Sequence, residues 1–223
     1  MSVKPCEGSP ADREGVVKYQ LDFRPGPAPC WPGYSRLEAW RRILFRLRLI
    51  GKDPGRYGGL SYGNVSQRFG SGFVISATQT GGLALLTPAH YCLVERLDIE
   101  AKRVVARGVH PPSSEALTHG AVYQAAPGVQ VVMHGHCPDI WRHAGRLGLP
   151  KTPSGAAYGT PALAAAVRRL VPTLPVAAIL VMGGHPDGVL AYGPSPEQAG
   201  QLVVTTLARA WALNLVNEQE DKP

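Results

Sequence analysis

The stretch 129-VQVVMHGHCPD-139 ends an apolar run with two histidines one residue apart, His134 and His136. In an extended strand, residues two apart project from the same face. The two imidazoles then stand side by side with Val132 behind them, while Val131, Met133 and Cys137 take the opposite face. Two nitrogens at that spacing suit one divalent ion. Two hydrogen-bonded core histidines suit the same pattern, so H-x-H alone leaves both readings open.

Two further groups bear on the choice. If a helix starts at Ser114, Glu115 and His119 are four residues apart on one face. A carboxylate beside a bound metal serves as ligand, as base, or as each in turn. As a plain first-turn acid, Glu115 would only complement the helix dipole. His119 reads better as orienting a neighbour than as a ligand. The third candidate ligand is His185, in 182-MGGHPDGV-189, a tight loop between two apolar strands. Such loops carry function, although P-D-G is turn chemistry by itself, and Asp187 can be no more than a turn residue. His90, His110 and His143 have no partner pattern and read as surface or structural.

A second kind of chemistry is spread over three polar segments. The stretch 62-YGNVS-66 offers backbone amides and an asparagine, 78-TQTGG-82 offers hydroxyls and small residues, and Ser113 and Ser114 precede Glu115. Amides, hydroxyls and a helix N-terminus suit an anion. The glycines of residues 51–82 match neither G-x-x-x-x-G-K nor G-x-G-x-x-G after a strand, which argues against a nucleotide phosphate loop.

These groups need a scaffold, and the composition bounds it. The chain has 223 residues, 44% hydrophobic and 17% charged, enough for a sizeable core and too little charge for disorder. No apolar run reaches the ~18 residues of a membrane span, and the N-terminus lacks the apolar core of a secretory signal. A cytoplasmic protein is expected. Cys6, Cys30, Cys92 and Cys137 are scattered and form no C-x-x-C pair, so reduced thiols are expected. The net charge of +7 raises the question of nucleic acid. The basic residues are dispersed, however, with Arg41, Arg42, Arg46 and Arg48 on one helix and Arg168 and Arg169 on another. They read as solvated helix faces that steer an anionic small molecule.

Residues 1–15 read as a loose tail and 16–223 as one domain. Strands are expected at residues 16–23, 64–69, 73–76, 93–99, 103–105, 129–136, 176–182 and 188–192. Helices are expected at 35–50, ended by Gly51, and at 114–126. A short helix should follow the Thr160 cap with Pro161 first, and a last helix should run from Ser195 to about Asn217. Several strands follow one another without helices between them, which disfavours a strict βαβ fold.

The order of these segments resembles the class II aldolase/adducin family. G-N-V-S (63–66) comes first, then T-G (80–81), P-S-S-E (112–115) with a histidine four residues on, and H-x-H (134–136). Y-G-T-P-x-L-A (158–164) and a late histidine before a strand and a capped helix complete the series. The likeness runs from about residue 35 to 215. It implies an α/β fold, an α/β/α sandwich around a mostly antiparallel central sheet, assembled as a ring-shaped homotetramer with active sites at subunit contacts. It implies zinc, or another divalent transition metal, on His134, His136 and His185, with Glu115 as acid/base. It puts a phosphate pocket on Gly63, Asn64, Thr80, Gly81, Ser113 and Ser114.

The implied activity is that of a lyase, in which zinc stabilises an enediolate when a C–C bond breaks in a phosphorylated, sugar-like hydroxy-carbonyl compound. Epimerase, dehydratase and decarboxylase chemistry on the same centre, and a non-enzymatic adducin-like binding role, are the alternatives. The expected partner is a small-molecule substrate, with no nucleic acid and no membrane. Two departures stand out. Pro186 and Asp187 follow the late histidine where the family usually has glycine. The segment between His136 and Tyr158 is shorter than in the sugar-phosphate aldolases, which take a tyrosine proton donor there. Tyr158 is the nearest candidate for that donor and reads foremost as a packing residue.

Overall fold

The computed structural model describes residues 17–220, so the expected tail and Cys6 lie outside the described residues. In chain order the elements are β1 (Gln20–Pro25), α1 (Tyr34–Arg46), β2 (Gly51–Lys52), β3 (Ser61–Tyr62), β4 (Asn64–Phe69), β5 (Gly72–Ser76), β6 (Tyr91–Asp98) and β7 (Arg103–Gly108). They continue with α2 (Ala116–Ala125), β8 (Val131–His136), α3 (Pro138–Arg142), α4 (Pro161–Leu170), β9 (Ala178–Val181), β10 (Gly188–Gly193) and α5 (Pro196–Glu220). One eight-stranded sheet has the order β1-β7-β6-β5-β4-β8-β10-β9, and β2 and β3 form a small ribbon. Only the β1–β7 pair is parallel; the six other pairs of the large sheet are antiparallel.

The alternation along β8 divides the core into two layers. Val132 joins Leu117, Ala121, Leu163, Val167 and Leu190 on the α2/α4 side. Val131 and Met133 join Leu37, Leu44, Ala199 and Val203 on the α1/α5 side. Helices therefore cover both faces, giving the expected sandwich. All six residues of β8 are buried, as in a strand covered on both faces, whose sequence is nearly continuously apolar. The α1 and α5 helices approach closely at Gly200, where a Cβ would sit 2.1 Å from Trp40 Cε3.

Local chemistry sets the element ends. α1 ends at Arg46, short of the end expected at Gly51, because Arg48 turns into the left-handed region, φ 57. The amides of Arg48 and Leu49 then return to Phe45 and Leu44 carbonyls, a left-handed C-terminal motif. The Thr160 hydroxyl accepts the Leu163 amide at the head of α4, and that of Ser195 accepts the Gln198 amide at the head of α5. α2 begins two residues later than expected. Ser113 is drawn into a bond from its amide to the Ser76 carbonyl, and Pro112 bridges Ala77. α3 has no counterpart among the expected elements. Cys30, Cys92 and Cys137 are free thiols. Among the described residues, no helix is long and apolar enough to cross a membrane.

The basic face expected on α1 needs two corrections: Arg48 lies beyond the helix, and Arg41 does not face solvent. Arg41 is 1% exposed. Its Nε and Nη2 donate to both oxygens of buried Glu38, at 2.7 and 2.8 Å, and it donates to the Leu83 and Ala84 carbonyls. Glu38 in turn accepts the Leu86 amide and the Tyr91 hydroxyl. Every polar atom of a buried pair needs such partners, and these fasten residues 83–86 to α1. Replacing Glu38 with alanine strands the guanidinium, and we expect a loss of about 3–5 kcal/mol. Urea unfolding checks this; a loss below about 1 kcal/mol would place the pair in the class of surface ion pairs.

Candidate metal centre

The register of the central strands brings the histidines together. On β8, His134 lies opposite Asn64 of β4 on one side and Leu190 of β10 on the other, and His136 lies opposite Gly188. His185 sits in the turn between β9 and β10. That turn is closed by amide-to-carbonyl bonds from Met182 to Gly188, His185 to Met182 and Gly188 to His185. One ligand atom from each of His134, His136 and His185 lies within 4.8 Å of the others, and all three residues are buried. Their ring centroids are 4.6 to 5.0 Å apart.

The rings are set up as neutral donors. His134 Nδ1 donates to the Val189 carbonyl at 3.0 Å. A carbonyl can only accept, so Nδ1 carries a proton, and in the neutral ring Nε2 is the nitrogen left for a metal. Burial holds the His136 imidazole well below its usual value, and His185 and His134 press it further. Burial likewise takes His185 down to about 4, with Glu115 and Asp187 opposing and Lys18 adding to the drop. Neutral imidazole is the form that binds metal. The three-nitrogen set therefore fits a divalent transition ion.

Glu115 occupies the position that caps α2 rather than its first turn, and it is 1% exposed. The Thr118 hydroxyl donates to its Oε2 at 2.6 Å, and its own amide donates to Ser113 Oγ. His119 lies outside the metal-ligating group. Its Nδ1 is 2.7 Å from the Ser66 hydroxyl, which is 2.8 Å from that of Tyr123. Burial, with His134 second, lowers the His119 pKa well below the usual histidine value.

The six residues expected to bind an anion line one polar cavity: Gly63, Asn64, Thr80, Gly81, Ser113 and Ser114. Gly63 makes the bend there possible. Its φ is +74, and a Cβ would meet Ile50 Cγ1 at 2.7 Å. Ser61, which lay outside the expected segments, and Gln79, from 78-TQTGG-82, belong to the same cavity. The Gln79 side chain accepts the Ser61 amide, and its carbonyl accepts the Ser61 hydroxyl.

Aromatic groups wall the histidines. The Tyr158 ring stacks on His185 at 4.7 Å, with Lys18 Nζ 3.7 Å from the tyrosine centroid. Tyr57 and Tyr62 stand 4.4 and 5.4 Å from His136. Neither was expected; an aromatic next to Gly58 and Gly59 in a loop was the only local signal for Tyr57. Asp187 meets Tyr57 and Arg56 at the rim of this wall.

The class II aldolase and adducin N-terminal domain family matches residues 56–211. A methylthioribulose-1-phosphate dehydratase from Gluconacetobacter diazotrophicus is 30% identical over 101 residues, 44% of this chain and 47% of that protein. The matched part is thus less than half the length of that relative. The l-fuculose-1-phosphate aldolase from Thermus thermophilus superposes with a TM-score of 0.63 at 21% identity, covering 85% of this chain and 97% of that one. A sugar-phosphate aldolase from Thermotoga maritima gives 0.58 at 15%, covering 86% and 99%. These likenesses establish the fold.

The buried imidazoles predict a pH response of the metal-stripped protein. An unfolded histidine takes up a proton near pH ~6.5, but His185 stays neutral in the fold down to about 4. Between those values the unfolded chain binds more protons, so stability falls as the pH is lowered and the loss is complete below the lower value. His136 acts in the same direction. His185 alone is worth on the order of 3 kcal/mol across this window. Urea midpoints of stripped protein from about pH 7.5 to 4 should fall accordingly; a flat profile contradicts neutral, buried His136 and His185.

Proposed function

The chain belongs to the class II aldolase and adducin family, which generally uses a divalent metal, and from that premise we propose that it is a metal-dependent lyase. Its substrate is a small hydroxy-carbonyl compound, phosphorylated and sugar-like. The convergence of His134, His136 and His185 beside Glu115 carries this reading. Zinc is the metal we favour, since three imidazoles and an open position suit it, and other divalent transition ions fit the same donors. When bound, the ion supplies Lewis acidity toward the substrate's carbonyl oxygen.

The chain's own groups do the rest. Glu115 moves a proton to or from the carbon next to that carbonyl. Thr118 holds its Oε2 and so fixes the direction the carboxylate faces. The hydroxyls and amides of the polar cavity bind the phosphate, with the N-terminus of α2 adding favourable polarity. The buried rings of Tyr62 and Tyr158 limit water around the exchanging proton. In keeping with the family, we place the protein in the cytoplasm as a homotetramer, acting on a small molecule and not on nucleic acid.

A dehydratase is the second reading, favoured by the likeness to the Gluconacetobacter diazotrophicus protein. Elimination of water from a ketose phosphate starts from the same carbon, so Glu115 keeps its place. An adducin-like binding role has no use for three buried imidazoles and a buried carboxylate.

Elemental analysis of purified protein should find about one divalent ion per chain. His136→Ala should lose both the ion and activity. Glu115→Gln should keep the ion while activity drops about 10²–10⁴-fold. Full turnover by stripped protein would sink the proposal. A substrate panel with and without the phosphate ester separates the two reactions, aldolase releasing two carbonyl fragments and dehydratase one dehydrated ketone.

A further inference from the structure

Asp187 is a non-glycine residue at φ 64, a conformation that aspartate tolerates better than most side chains. It sits two residues after His185 and makes two unusual connections. Its carbonyl accepts the amide of Cys137, the residue after His136, at 2.7 Å. Its carboxylate Oδ2 accepts the Tyr57 hydroxyl, also at 2.7 Å, across 130 positions of sequence. Tyr57 is itself at φ 51, and its ring lies edge-on to the His136 imidazole. Arg56 donates to the Tyr57 hydroxyl and stands 3.5 Å from the same carboxylate oxygen. One residue in the His185 turn thus grips both the strand end and, through Tyr57, the ring that completes the H-x-H pair.

We propose that Asp187, Tyr57 and Arg56 form a brace that fixes His136 and His185 relative to each other and so sets how tightly the centre holds its metal. The proposal rests on the metal reading of the triad. The three are positioning residues: the metal-ligating group holds only the histidines. An imidazole rotates about two bonds, and each rotation left open in the metal-free state must be frozen on binding. The phenol–carboxylate bond is charge-assisted and therefore the strong member. The Arg56–Asp187 contact, with both side chains about a quarter to a third exposed, is the weaker one. Outer partners of metal-binding histidines typically change affinity about 10–100-fold.

The test is competition between the full-length, stripped protein and a chromophoric chelator for Zn²⁺, with unfolding of the metal-free forms measured in parallel. Tyr57→Phe removes only the hydroxyl, and Asp187→Gly removes the carboxylate while accepting the positive φ. Each should weaken binding about 10-fold or more, and the double variant should be no weaker than the worse single one, because both delete one link. Asp187→Asn, which keeps an acceptor, should recover part of the loss. Co²⁺ spectra of the weakened variants should shift, reporting altered ligand geometry. Unchanged Zn²⁺ affinity in Tyr57→Phe, with or without a change in metal-free stability, overturns the brace and leaves the metal reading standing. A wild-type protein that takes up no stoichiometric Zn²⁺ overturns both.

Discussion

Sheet register is the constraint on which this centre depends. His134 and His136 face the α2 layer only because β8 is locked between β4 and β10, with Asn64 and Leu190 flanking His134. A slip of one residue would turn both imidazoles into the opposite layer and put Val131 and Met133 in their place. Neighbours on both sides and apolar cores on both faces oppose that slip. The strand can therefore hold polar rings in a dry interior, where a lone polar side chain would be costly. Burial also keeps His136 and His185 neutral. The property that makes the triad awkward for the apolar interior is the one that makes it a donor set.

The polar cavity is held by different means. Its Thr80 and Gly81 lie on the loop after β5, whose next segment is tied to α1 by the buried Glu38–Arg41 pair. Its serines lie on the lead-in to α2, fixed by Ser113 to the end of β5. Tyr19 adds a bond from its hydroxyl to the Ser113 carbonyl. Two segments, joined to each other by the Thr78 amide on the Pro111 carbonyl, thus meet beside Gly63 and Asn64, at the start of the strand that flanks His134. That adjacency sets the polar cavity and the histidines at one end of the same strands, the arrangement that the proposed substrate, with an anionic end and a carbonyl, would need.

Features with a local cause were legible in the sequence. The period of two on β8 foretold that His134 and His136 share a face, residues 64–69 formed the expected strand, and Thr160 with Pro161 opened α4 as expected. Features decided at long range were not. β1 pairs with β7 across some eighty positions, and no turn signal announces it. A charged residue on a helix reads as solvated, and Arg41 is buried only because the Leu83 and Ala84 carbonyls and Glu38 come to it. Asp187 has full turn chemistry of its own, so nothing nearby points to Tyr57 as its partner. His119 was expected to orient a neighbour, and the neighbour proves to be Ser66 rather than a metal-ligating histidine.

The same geometry limits what the centre can decide. Aldol cleavage and elimination of water both turn on the carbon beside the carbonyl. Neither the triad nor Glu115 can favour one over the other by contacting that carbon. Discrimination then falls to groups that meet the rest of the substrate, where the departing fragment is either an aldehyde or a water molecule. Two walls flank the histidines and are the candidates on the proposed reading: Tyr57 and Tyr62 on the His136 side, and Tyr158 with Lys18 on the His185 side. The first is tied into the Asp187 turn and the second leans on the ring it stacks against. Both walls are therefore coupled to the histidines themselves, so a change of substrate preference by mutation there also perturbs the metal. On the proposed function, selectivity and metal retention would be linked through these contacts, and variants should be compared at saturating metal before any shift in product is credited to recognition.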